Sequence, residues 1–270
     1  MVRGSTDLSR SILQVVRHTV ADAETVTRYR EPLVAFADAD DPRFARLREG
    51  ADPDHLMPHD LLSRARSVIS FFLPFHPDVV SANADHPETV TDEWARAYVE
   101  TNDLIGEIAH QLIEFFDERA EEAAAEPATG SFDEGSLTSR WSHKSAAVIS
   151  GLGSFGLHQM VITDAGCAGR LGSLVTSARL PVSSVEPRER CLYFYDGSCT
   201  SCMQRCPLDA LSVNDTFDRW ACWGRCREVA DQFLHLGTVK ACGKCVVGPC
   251  AFESPVSITE HRGQIPASRR

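Results

Sequence analysis

Lysine is nearly missing from this chain: Lys144, Lys240 and Lys244 are the only three among 27 basic residues, the rest being arginine. Basic clusters are missing too. Short groups such as Arg188-Glu189-Arg190 and the terminal Arg269-Arg270 stand against a formal net charge of −11, which would repel a polyanion. Nucleic acid is therefore not an expected partner. No apolar run approaches the ~18 residues that a membrane-spanning helix needs, and residues 1–16 are too polar for an export signal. A cytoplasmic protein that does not bind membrane is the expectation. There is no internal repeat and no low-complexity tract. What remains is ordinary: 270 residues, 43% hydrophobic and 24% charged, suit a folded chain of one sizeable domain and a smaller one.

Against that background ten cysteines are an excess. Without an export signal they should stay reduced, so disulfides explain them poorly and metal or redox chemistry explains them better.

The first two thirds of the sequence read as mixed helix and strand. Residues 8–26 carry apolar side chains at helical spacing, and residues 33–37 and 68–73 are β-rich runs, the second a candidate buried central strand. Residues 91–125 carry Trp94, Tyr98, Ile105, Ile108, Leu112, Ile113 and Phe116 and predict a long helix packed along one stripe. Residues 142–149 predict another. Residues 160–163 and 171–177 read as two strands joined by a turn. The expected division is an α/β domain over residues 1–184, a cysteine-rich domain over 185–255 and a tail over 256–270.

The cysteines fall into a pattern. Bacterial two-cluster ferredoxins use a C-x2-C-x2-C-x3-C-P run whose fourth cysteine serves the other cluster. Counting back from Cys206-Pro207, Cys202 and Cys199 occupy the third and second places, and Asp196 stands in the first. Cys191 is the nearest thiol upstream, so the irregular ligand is either Cys191 or the Asp196 carboxylate. A second group, Cys242, Cys245 and Cys250, has Cys222 as its supplement. Together Cys191, Cys199, Cys202, Cys206, Cys222, Cys242, Cys245 and Cys250 are eight thiols, enough for two 4Fe–4S clusters of four ligands each. A reciprocal exchange would assign Cys199, Cys202, Cys250 and Cys191 (or Asp196) to one cluster and Cys206, Cys222, Cys242 and Cys245 to the other. Two structural zinc sites are the plainer alternative, since C-x2-C pairs also make zinc knuckles. The Cys-Pro signature and the isolated cysteines weigh against it. Cys226 follows Cys222 at i+4 and could substitute for it, and Cys167 lies far upstream in a turn; both read as spare thiols rather than ligands.

With these residues in place the chain resembles the epoxyqueuosine reductase family and, more distantly, reductive dehalogenases. The likeness rests on Asp41-Pro42-Arg43-Phe44, on the strand ending Pro74-Phe75, on Gly151-Leu152-Gly153-Ser154-Phe155-Gly156 and on the double-cluster tail. It implies a nitroreductase-like α/β domain that holds a corrinoid, with two clusters passing electrons to the cobalt. Three features depart from it. The sequence stops about 20 residues after Cys250, where tRNA-acting members continue into a helical-repeat region, so a tRNA substrate is not expected. Leu137 stands where those members carry a catalytic acid, with Asp133 and Glu134 merely nearby, and the first cluster cysteine is replaced at Asp196.

Gly151, Gly153 and Gly156 also fit a nucleotide-binding fingerprint. That fingerprint needs a strand before it and an acid after it, so a turn that lets backbone approach a cofactor is the better reading. Trp141 and His143, on the preceding helix, would face that cofactor. His158 is a candidate cobalt ligand or proton donor, although a lone histidine is more often plain structure. The expected function is an iron–sulfur oxidoreductase that takes single electrons from a flavodoxin- or ferredoxin-type donor and passes them to a corrinoid (cobalamin), a flavin or a small-molecule substrate. A ferredoxin-like electron carrier with no substrate of its own is the alternative.

Overall fold

The computed structural model describes residues 2–256, except 51, 129, 131, 184–187 and 214–215, and side chains from residue 7 onward. The expected tail over 256–270 lies outside the described residues from 257 on, and the expected boundary at 184/185 falls on residues outside them as well.

A long first helix α1 (Val2–Asp22) leads to strand β1 (Leu33–Asp38), short helices α2 (Pro42–Gly50) and α3 (Pro58–Leu61), and strand β2 (Ser67–Pro74). Helices α4 (Pro77–Ala84) and α5 (Asp92–Asp117) follow, then β3 (Ala123–Ala125), β4 (Phe132–Asp133), β5 (Thr138–Ser139), α6 (His143–Ile149), β6 (Gly153–Phe155), β7 (Val161–Thr163) and β8 (Gly169–Thr176). The cysteine-rich part holds α7 (Leu192–Asp196), α8 (Ser201–Gln204), α9 (Arg219–Gln232) and two 3-10 turns, Leu234–Leu236 and Lys244–Val246. The fold is mixed α and β, and its four-stranded sheet, ordered β1-β2-β8-β3, is antiparallel throughout.

Strand β2 sits at the centre because it is apolar on both faces, and all eight of its residues are buried. Alternation sorts them. Ile69, Phe71 and Leu73 pack with Ile12 and Val16 of α1 and with Leu104, Ile108, Leu112 and Phe116 of α5. Val68 and Phe72 face the other way, toward Trp141, Ala146, Ala147 and Leu152 around α6. Ser70 joins that second face by a hydrogen bond to Ser150 Oγ at 3.0 Å, so its hydroxyl is not left unpaired.

A further core joins the sheet domain to the cysteine-rich part. Val79 and Val80 of α4 and Trp94 and Tyr98 of α5 pack with Cys191, Cys202, Leu211, Val229, Val239 and Val246. The backbone strengthens the join: the N–H groups of Cys167 and Ala168 donate to the carbonyls of Cys250 and Ala251 at 2.9 and 3.1 Å. Arg30 adds a clamp, donating to the carbonyls of Phe75, Ala165 and Phe252.

Two sequence expectations need correction. The long helix stops at Asp117, and its Glu- and Ala-rich end turns through Ala120 (φ 56°) to become β3, which closes the sheet edge against Thr176 and Leu174. The unpaired edge of β8 outweighs the helix preference of alanine. The strands at 161–163 and 169–176 are not partners either: β7 pairs with β6, whereas β8 runs through the main sheet.

Candidate functional site

Thiols gather around two cavities at the junction of the sheet domain and the cysteine-rich part. The first, of about 20 Å³, is lined by Cys191, Cys199, Cys202, Cys245 and Cys250, with His158 beside them. The second, of about 330 Å³, is lined by Cys167, Cys206, Cys222, Cys226, Cys242 and Cys245. Each of the eight sequence-predicted thiols lines at least one of them. All ten are free thiols.

Local structure explains the placement. Cys191 caps the start of α7, and Gly197 ends that helix in the left-handed conformation at φ 80°, which turns the chain so that Cys199 follows just before α8 and Cys202 on it. Asp196, the other candidate at the irregular position, is exposed and accepts the Ser198 N–H at 2.9 Å. Cys191 therefore faces the first cavity and Asp196 faces away from it. Cys242 and Cys245 bracket a tight loop whose Gly243 has φ 75° and lies flat on the Trp94 ring. Lys244, only 3% exposed, pins that loop to α4 by donating to the Asn83 carbonyl and side chain at 2.7 and 2.5 Å. Burial holds the Lys244 ammonium down at about 8.

Two cysteines read as spare come to the site. Cys226 lies one turn after Cys222 on α9 and bonds to it, which holds the Cys222 thiol near 7 and pushes Cys226 up. The spacing of four on a helix was the available signal. Cys167 lies 3.6 Å from Cys250 Sγ, and His158 Nε2 lies 3.4 Å from the same sulfur. His158 Nδ1 accepts the Met160 N–H at 3.1 Å, so the ring proton is on Nε2 and points at Cys250. The contacts from Cys167 and His158, with burial opposing, bring the Cys250 thiol down to about 5. Nothing in linear spacing links residues 158 and 167 to 250; the pairing of backbone across the junction does.

The cavity of about 330 Å³ shares lining residues with two more, of about 240 and 540 Å³, and Arg170 lines all three. Trp94, Tyr98, Phe132 and Trp223 supply aromatic walls. Trp141 and His143 line the 240 Å³ chamber, Trp141 as a buried ring stacked on Phe44. Trp141 Nε1 donates to Ser173 Oγ at 2.9 Å, and that hydroxyl meets His143 Nδ1 at 2.7 Å. Burial, helped by Arg170 and opposed by the Pro127 carbonyl, pulls the His143 imidazole down to about 4, so it is neutral at pH 7. Gly151, Gly153 and Gly156 line none of these chambers. Gly151 ends α6 at φ 87°, Gly153 packs on the Ile162 carbonyl, and a Cβ at Gly156 would strike His158. Leu137 sits in the β4–β5 turn at φ 55°; there Asp133 accepts hydrogen bonds from Ser136 and Glu134 pairs with Lys240.

No family model matches the chain, and no curated protein matches it either. Solved structures do. A selenomethionine-labelled epoxyqueuosine reductase superposes with a TM-score of 0.58 at 18% identity, over 92% of this chain and 66% of that one. The chain has the epoxyqueuosine reductase fold. The enzyme from Bacillus subtilis gives 0.58 at 16% identity over 92% and 66% of the two chains, and that from Streptococcus thermophilus 0.53 at 14% over 90% and 67%. At such identities the likeness is one of fold, and the chain spans about two thirds of the length of those proteins. Among the described residues no helix is long and apolar enough to cross a membrane.

Proposed function

We propose that the protein is an iron–sulfur reductase of epoxyqueuosine reductase-like type, in which two 4Fe–4S clusters deliver single electrons to the chambered cleft. The observation that carries this reading is the gathering of ten cysteines, from five separate stretches of chain, around two neighbouring cavities that share Cys245. An all-thiol donor set suits iron–sulfur clusters, and short C-x2-C turns supply sulfur and backbone N–H together.

Cys191, Cys199, Cys202 and Cys250 would hold the first cluster, and Cys206, Cys222, Cys242 and Cys245 the second, with Cys226 poised one helical turn from Cys222. Domains at 1–184 and 185–255 would then divide the work between cofactor or substrate and electron supply. The donor set fits both clusters, and the aromatic-walled cleft fits a planar conjugated cofactor, a corrinoid or a flavin. Such a cofactor, when bound, supplies the redox centre that converts single electrons into bond cleavage. The chain's own part is to bind and orient. Tyr98 and Arg170 form one wall, Lys144 and His143 bring N–H donors to the floor, and the packed core behind Trp94 keeps water from the second thiol group. An external donor of flavodoxin or ferredoxin type would supply the electrons.

The test is anaerobic purification with cobalt and flavin assays beside iron and sulfide. Iron and sulfide in equal amounts together with cobalt or flavin support the reading. Iron and sulfide with neither cofactor, and no reduction of any added corrinoid or flavin, would leave only an electron carrier.

A further inference from the structure

Arg170 is a half-buried cation without a counterion among the described residues. Its guanidinium lies over the Tyr98 ring at 4.2 Å and interacts with the Tyr98 hydroxyl, and among the described residues its solvent-shielded Nε has no hydrogen-bond partner and no carboxylate pairs with it. Burial depresses its ionisation, and only the tyrosines Tyr98 and Tyr29 act the other way. Two acids, Asp103 and Glu134, line the 540 Å³ chamber that Arg170 also borders; Lys240 holds Glu134, and neither acid forms an ion pair with Arg170. Two more donors border the 240 Å³ chamber beside Arg170. Lys144 Nζ has one long contact, 3.3 Å to the Gln159 carbonyl, and among the described residues the buried His143 Nε2 meets no partner in hydrogen-bond geometry, although the Pro127 carbonyl lies by the ring. The rest of that chamber is apolar, with Phe72, Trp141, Val161 and Leu171 among its walls.

An unpaired buried charge is among the costliest features a fold can carry, and leaving further donors unmet beside it adds to the cost. A ligand that brings negative charge removes both penalties, because an arginine fork and flanking N–H groups match a carboxylate or a phosphate. We infer that the chamber between Trp141, His143 and Arg170 binds an organic anion, its carboxylate or phosphate oxygens on Arg170, Lys144 and His143 Nε2 and its apolar body against Phe72 and Leu171. The inference rests on the cleft described under Proposed function and names the chemical class it takes. The anionic group belongs to the substrate or to a phosphate of the cofactor, and the experiment separates the two.

Thermal unfolding and calorimetry of the anaerobically purified protein, with iron and sulfide measured on each sample, provide the test. The probes are phenylacetate, its neutral counterpart phenylacetamide, orthophosphate, flavin mononucleotide and cobalamin. Phenylacetate should raise the melting temperature and bind about tenfold or more tightly than phenylacetamide. A larger response to flavin mononucleotide or cobalamin, lost in Arg170→Met, assigns the group to the cofactor. Without ligand, Arg170→Met should melt no lower than the parent, since it removes an unpaired charge and keeps the length of the side chain; with ligand it should show no response. Equal binding of phenylacetate and phenylacetamide with no response to the phosphate-bearing probes overturns the inference, and this comparison needs no variant. A cation that merely braces Tyr98 would instead make Arg170→Met unstable or unfolded and leave the parent indifferent to anions. Full iron and sulfide with no anion response removes the anion site alone. An anion response without iron removes the cluster reading alone.

Discussion

Replacing Gly243 by alanine separates two costs that glycine avoids at the second thiol group. Gly243 has φ 75°, a conformation that costs an L-residue about 1–2 kcal/mol. A Cβ there would also stand 2.1, 2.2 and 2.4 Å from Cε2, Cζ2 and Nε1 of Trp94, inside the ring's own volume. Trp94 is 5% exposed and locked edge-on against Phe75, so relief must come from the loop that carries Cys242 and Cys245, at a further cost of about 1–3 kcal/mol. Gly197 supplies the control: its φ is 80° and nothing lies within 4 Å of the added carbon, so Gly197→Ala bears the conformational cost alone. The two variants should therefore differ by about 1–3 kcal/mol. With a urea m-value of about 3 kcal/mol/M, that places the Gly243→Ala midpoint roughly 0.3–1 M below the Gly197→Ala midpoint. Anaerobic urea titration followed by far-UV circular dichroism, on samples of known iron content, reads the difference. Coincident midpoints at equal m would refute the packing of the C-x2-C loop on Trp94.

The thiols and their neighbours give further expectations. Cys191→Ala should lose the iron of one cluster, about half the total, while Asp196→Ala keeps it all; iron loss in the aspartate variant instead would return the irregular ligand to the carboxylate. His158→Phe removes the N–H aimed at Cys250 while keeping a ring. One cluster potential should fall by about tenfold in its reduction equilibrium, about 59 mV for one electron, with His158→Gln close to the parent in a potentiometric titration. Unmoved potentials at full iron would deny that hydrogen bond any effect. For His143 the sign follows from its lowered value: the unfolded chain, titrating near 6.5, binds protons that the folded imidazole, near 4, refuses. Its contribution is present above pH 6.5 and is lost as pH falls toward 4, by up to about 3 kcal/mol. Melting temperatures across that range should fall in the parent and flatten in His143→Phe.

The parts of the fold that the sequence made legible are those where one physical signal dominates. Strand β2 is apolar at nearly every position, and α5 keeps one stripe over seven turns, so each could be placed from its residues alone. Where backbone pairing decides, the residues were silent: β3 is made of three alanines recruited to a sheet edge, and β7 takes β6 as its partner in place of β8. The site divides in the same way. Thiols in short spacings announced themselves, and Cys191 entered as the nearest sulfur to an irregular position. Cys167 and His158 reach Cys250 only because two backbone hydrogen bonds draw residues 167 and 168 against residues 250 and 251. Arg170, second residue of β8, carried no spacing signal at all. Its meaning comes from the absence of an ion pair to it among the described residues.

The account stands on two clusters held by these cysteines, and the amounts of iron and acid-labile sulfide in anaerobically purified protein test that most directly. About eight irons and about eight sulfides per chain are predicted. Zinc in their place, without sulfide, would contradict it.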